Sequence, residues 1–104
     1  MAIRLYLAQI NPVVGDIKGN YELIVSHIKK AQKEEADIVI FPELALTGYP
    51  PEDLLLKNAF IRENVKYLEK IKKEVHGTAA IVGFAHKKDS AIYNSAAVIC
   101  SKDI

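Results

Sequence analysis

The side chain best placed for chemistry is a carboxylate. Glu43 follows the run Asp37-Ile38-Val39-Ile40-Phe41, with Pro42 between. A carboxylate at the end of a buried strand is partly withdrawn from water, which raises its affinity for a proton and suits general acid/base work. The position equally suits a plainer role, as an acceptor of backbone N–H bonds in a turn, and the residues alone leave both open. Gly15-x-x-x-Gly19 lacks the Lys-Ser/Thr of a phosphate loop and the G-x-G-x-x-G of a dinucleotide site, so a turn is expected there. His27, His76 and His86 fall on a helix face, a helix end and a loop. With one Cys in the chain and no paired ligand spacing, no metal site is expected. Cys100 closes an apolar run, where a small buried hydrophobe is expected rather than an activated nucleophile. Lys87 and Lys88 are expected to face solvent. Asn94 and Ser95 interrupt an apolar strand, and either satisfy an edge or face a polar site.

The elements that must carry these groups follow from periodicity. Ala2 to Ile10 alternates with apolar residues on both sides, which predicts a strand covered on both faces, ended by Asn11-Pro12. Asn20 is the expected N-cap of a helix whose Tyr21, Ile24, Val25, Ile28 and Ala31 share one face. Its opposite face carries Lys29, Lys30, Lys33 and Glu34, which reads as solvated. Asp37 to Phe41 is a short buried strand. Gly48-Tyr49-Pro50-Pro51 forbids regular structure, and Asp53 is placed to cap a short turn through Leu54, Leu55 and Leu56. A second helix is expected from about Asn58 to Val75, with Ile61, Val65, Leu68, Ile71 and Val75 as its stripe and Gly77 as a left-handed cap. Ala79 to Phe84 and Ile92 to Cys100 are two further strands, joined as an antiparallel hairpin by the polar turn Lys87 to Ser90. The order β-α-β-α-β-β predicts an α/β fold with a mostly parallel sheet. Ligand chemistry in such sheets gathers at the carboxyl ends of the parallel strands, where Glu43 falls.

The composition narrows the classes. The chain has 104 residues, half of them hydrophobic, with 14 basic and 13 acidic side chains. That much apolar surface excludes a disordered chain. A net charge of +1 argues against a nucleic-acid partner. No apolar run approaches the roughly 20 residues a membrane span needs, so no membrane partner is expected. The single Cys and the absence of a secretory leader predict a cytoplasmic location. Two helices are few for a sheet that is apolar on both faces. The expectation is therefore that residues 1–104 form the front portion of a longer, incomplete domain rather than a finished one.

Phe41-Pro42-Glu43-Leu44 after a strand, then Thr47-Gly48-Tyr49, resembles the nitrilase (carbon–nitrogen hydrolase) superfamily. Leu7 to Pro12, Gly15-Asp16 and Tyr93-Asn94-Ser95-Ala96 are similar to other family segments. The longer run Glu43 to Leu55, with Gly-Tyr-Pro-Pro-Glu-Asp-Leu inside it, resembles the amidase domain of glutamine-dependent NAD synthetases. The resemblance implies part of an α-β-β-α sandwich carrying a Glu-Lys-Cys catalytic set. Glu43 matches the family's general base, and Tyr49 matches a position lining the glutamine pocket. The matching Lys and Cys would lie beyond residue 104, which implies that this segment alone is inactive. It further implies glutamine as the small-molecule substrate, a synthetase domain of the same polypeptide as partner, and a homo-oligomer. It implies no cofactor in this segment, with ATP and Mg²⁺ confined to the synthetase domain. Two other readings stand beside it: a stand-alone amidase or nitrilase, and a non-catalytic module binding a partner through an uncovered sheet.

Overall fold

Strand patterns separated by helical ones give a β-α-β-α-β-β chain, and the computed structural model, which describes residues 2–49, 54, 57–89 and 91–100, has that order. Its elements are β1 (Leu5–Leu7), α1 (Ile17–Lys33), β2 (Ile38–Ile40), α2 (Asn58–Lys72), β3 (Ala79–Lys88) and β4 (Ala91–Ile99). The four strands form one sheet in the order β1-β2-β3-β4. The first three are parallel, with Tyr6 opposite Val39 and Val39 opposite Ala80. A tight turn with Asp89 at φ +57° then sends β4 back antiparallel, from Lys88 opposite Ala91 to Ala80 opposite Ile99.

Both helices pack on the same face of the sheet. Ile24, Ile28 and Ala31 of α1 meet Leu68 and Ile71 of α2 over Val39, Ala80 and Val82, all in one buried cluster. Tyr21 and Tyr67 join the two helices with ring centroids 5.1 Å apart. The expected stripes are largely those observed, except that Val65 is exposed on α2. Lys29, Lys30, Lys33 and Glu34 face solvent as expected.

The other face of the sheet carries no layer among the described residues. Leu5 and Leu7 of β1 are 53% and 63% exposed, and Val98 of β4 is 52% exposed. This corrects the expectation that the first strand is covered on both sides; β1 is also shorter than expected. Three further boundaries differ. α1 begins at Ile17, because Asp16 rather than Asn20 caps it, accepting a hydrogen bond from the Gly19 backbone. α2 ends at Lys72, and Gly77 takes its positive φ of 75° later, in the turn into β3. β3 runs on through Lys88, because its pairing with β4 continues past Phe84 and absorbs the expected polar turn. The cap expected of Asp53 and the turn through Leu55 and Leu56 lie outside the described residues. No described helix is long and apolar enough to cross a membrane.

Candidate functional site

The loops after β1 and β2 are locked together at the carboxyl rim of the sheet. Asn20 does this from inside α1. It is buried, its Oδ1 accepts from Val13 N at 2.8 Å, and its Nδ2 donates to Val13 O at 2.8 Å and Leu46 O at 3.1 Å. The Gly15 N–H donates to Thr47 O at 3.0 Å. Gly48, at φ +81°, has the Val14 backbone where a side chain would sit, its Cα 2.6 Å from the position a Cβ would take. Only glycine meets both demands.

The chain between β2 and Gly48 is pressed onto β3. Phe41 N donates to Ile81 O at 3.0 Å and Leu46 N to Gly83 O at 3.2 Å, so both ends of the elbow are tied to one strand. A Cβ on Gly83 would lie 2.5 Å from Leu44 N and 2.8 Å from Pro42 O, so the crossing requires a glycine at this point of the strand. Leu44 takes a left-handed φ of 48°, uncommon for a branched side chain. It is held there by burial against Ile61, Ala85 and Ile92. Asn64 of α2 secures the same stretch of β3, being buried and bonded through its amide to both Ala85 N and Ala85 O.

Glu43 sits at the crest of this elbow, at the end of β2 where ligand chemistry was expected. Its Oε1 accepts a hydrogen bond of 2.6 Å from Nδ2 of Asn94 on β4, 51 residues away. The two side chains border a depression of about 250 Å³ that is also lined by Phe41, Pro42, Ile81, Gly83, Ser95 and Ala96. Glu43 is the charged residue in that lining. Two expectations are corrected here. The carboxylate is exposed rather than partly desolvated, and its donor is a side-chain amide, not the backbone of its own turn. Of the two roles considered for Asn94, the one facing a polar group is observed.

Other candidates separate from this point. Tyr49 is 63% exposed and is not among the residues lining the depression. Cys100 is exposed, which corrects the expectation that it is buried. It also stands six residues from Asn94 along β4, about 20 Å at the rise of a strand, so it lies at the opposite end of the sheet from Glu43. His27 pairs with the Tyr6 hydroxyl at 2.9 Å, while His86 stacks edge-on against Phe84. Lys87 is exposed as expected and donates to Asn58 Oδ1 at 2.9 Å. Among the described residues, no three His, Cys, Asp or Glu side chains gather as a metal site. A larger groove of about 670 Å³ runs between α2 and the β3–β4 hairpin, lined by Val65, Leu68 and Phe84, and Glu43 takes no part in it.

Sequence reasoning gave Asn20 a different role, as a helix cap, and missed Asn64 and Gly83; these three build the elbow. Each left a signal. Asn20 and Asn64 occupy stripe positions of their helices beside Ile24 and Leu68, where a polar residue needs buried partners. Gly83 is the one glycine inside β3, a strand otherwise made of residues with side chains.

Among the described residues, the arrangement is a carboxylate with one oxygen held by a neutral donor and the other without a partner, beside a depression lined by no Cys and no Lys. It can accept a proton from a group brought to it. Comparison with known proteins gives this geometry a context. The family model for carbon–nitrogen hydrolases matches residues 4–103. The glutamine-dependent NAD(+) synthetase of Thermotoga maritima is 41% identical over 104 residues, covering 98% of this chain and 18% of that protein. The structure of glutamine-dependent NAD+ synthetase from Acinetobacter baumannii superposes with a TM-score of 0.84 at 34% identity, covering 98% of this chain and 19% of that one. That from Cytophaga hutchinsonii superposes with a TM-score of 0.94 over 99% of this chain and 18% of its own length, and at 24% identity it speaks for the fold alone. The chain thus spans less than a fifth of the length of these three NAD synthetases.

Proposed function

Because the chain belongs to the carbon–nitrogen hydrolase family, we propose that it forms the amino-terminal part of the glutaminase domain of a glutamine-dependent NAD synthetase, with Glu43 as general base. The observation that carries this reading is the position of Glu43. It stands on a built elbow at the carboxyl rim of the sheet, with Oε1 held by Asn94 and Oε2 without a hydrogen-bond partner among the described residues.

The chemistry asked of Glu43 is to take a thiol proton. A cysteine thiol with a pKa near 8.5 is mostly protonated at neutral pH, so a positioned carboxylate that accepts its proton creates the nucleophile. The thiolate attacks the carboxamide carbon of glutamine, and a lysine stabilises the oxyanion. Glu43 then returns the proton to the departing ammonia, and water releases glutamate from the thioester. The cysteine and lysine are supplied by residues outside these 104. Cys100 is unsuited, being about 20 Å along β4 from Asn94. Tyr49 serves at the substrate pocket once the remainder of the domain closes over the rim.

The synthetase part of the same polypeptide uses the ammonia to amidate deamido-NAD. ATP and Mg²⁺ belong to that part, and the complete enzyme is a homo-oligomer in the cytoplasm. In the complete polypeptide, Glu43→Gln is expected to abolish glutamine-dependent NAD formation while leaving formation from added ammonia intact. Residues 1–104 alone are expected to release no ammonia from glutamine. Glutamine-dependent turnover retained by Glu43→Gln would overturn the assignment.

A further inference from the structure

We propose that Asn94 is the positioning residue of the Glu43 base, fixing which carboxylate oxygen meets the thiol; this deepens, and rests on, the general-base reading of Glu43. Asn94 shares a face of β4 with Ala96 and Val98, opposite the buried Ala97 and Ile99 that lie under the helices. It is the polar member of that otherwise apolar row. Its register opposite Ala85 brings it over the elbow, and it spends its amide donor on Oε1 of Glu43 at 2.6 Å. A carboxylate only accepts, so the nitrogen of the Asn94 amide must face it.

The backbone under Glu43 is already tied to β3 through Phe41 and Leu46, and the bond from Asn94 ties its side chain to β4. One hairpin therefore sets both the position of the carboxylate and its rotation. A neutral donor suits the task. It holds one oxygen in place without bringing a second charge beside the base. Glu43 is the charged residue of that lining, and the bond from Asn94 is the hydrogen bond its side chain makes among the described residues.

The test uses the complete polypeptide, comparing wild type, Asn94→Leu, Asn94→Asp and Glu43→Gln in glutamine-dependent and ammonia-dependent NAD formation, with kcat and KM for glutamine resolved. Asn94→Leu removes the donor while keeping the same number of side-chain heavy atoms. It is expected to lower kcat for glutamine roughly 10- to 100-fold, the range for a hydrogen bond to a charged group, with KM little changed. Asn94→Asp sets a second carboxylate against Glu43 in place of the donor and is expected to lower kcat at least as far. Ammonia-dependent formation stays unchanged in both. A wild-type kcat for glutamine in both variants, or a loss that falls on KM instead, overturns the proposal. Should Asn94→Leu lose ammonia-dependent formation as well, the near-isosteric Asn94→Asp decides alone: a lowered kcat at unchanged KM supports the role, and any other result ends it. Glutamine turnover in Glu43→Gln is instead the failure of the base assignment itself, whatever the Asn94 variants do.

Discussion

The two faces of this sheet are made from the same kinds of residue, yet they end in different surroundings. On one, Tyr6, Val39, Ala80, Val82, Ala97 and Ile99 lie beneath α1 and α2, and most are fully buried. On the other, Leu5, Leu7 and Val98 stand half or more exposed. Alternation of apolar residues says that both faces are built to be covered, and it does not say by what. The first face is finished by local connections, since each crossover between parallel strands must lay a helix on the sheet. The second can be finished only by something further away. Glu43 sits at the rim between the two faces. Its elbow is stiffened from the finished side by Asn20 and Asn64, while its carboxylate and Asn94 lie toward the open side.

Substitutions measure this contrast. Ile28→Ala under the helices is expected to cost about 2–5 kcal/mol, the range for emptying a fully buried branched side chain, read by chemical denaturation. Leu7→Ala on the open face should cost well under 1 kcal/mol in the same assay, and equal costs would erase the distinction between the faces. Asn20→Leu leaves the Val13 and Leu46 backbone groups unpaired and is expected to cost about 1–3 kcal/mol, with the elbow becoming more open to hydrogen exchange at Leu46 and Gly48. Leu7→Lys is expected to leave the stability of the 104-residue chain within about 0.5 kcal/mol of wild type, while reducing its self-association in sedimentation experiments. A loss of several kcal/mol would show that this face is packed already.

The smallest effect concerns the helix pair. Burial, with the negative charges of Glu74, Tyr67 and Glu22 nearby, holds the Tyr21 phenol above its ordinary value of 10.0. The folded chain therefore keeps this proton after the unfolded chain has lost it. The stability it contributes is complete below pH 10 and is lost as pH rises past that point. Tyr21→Phe should flatten the alkaline decline in stability measured by denaturation, and an unchanged decline would assign it to other groups.

Much of the fold was legible in the sequence because local periodicity fixes it. Ile28 and Ala31, or Leu68 and Ile71, three apart, share a face in a helix but lie on opposite faces of a strand, and a short polar turn after β3 can return only an antiparallel strand. What failed to show depends on distant partners. Asn20 carries the sequence mark of a helix cap, but its three bonds go to loop backbone that only the fold brings near. Asp16, four residues earlier, takes the cap instead. Gly83 is needed because another segment crosses it; a glycine inside a strand marks a close approach, but nothing along the chain says which segment makes it. Cys100 looked buried because apolar strands usually are, yet this strand lies at the sheet edge. Glu43 itself was found by its place after a strand, whereas its tie to Asn94 is a long-range fact.

The most direct test of the role given to Glu43 is the rate at which the complete polypeptide forms its covalent thioester with glutamine in a single turnover, followed by rapid quench and intact mass. The account predicts that Glu43→Gln, folded and still competent with added ammonia, forms that adduct at least about 100-fold more slowly than wild type, since general-base assistance contributes on this scale. An adduct appearing at the wild-type rate would contradict it.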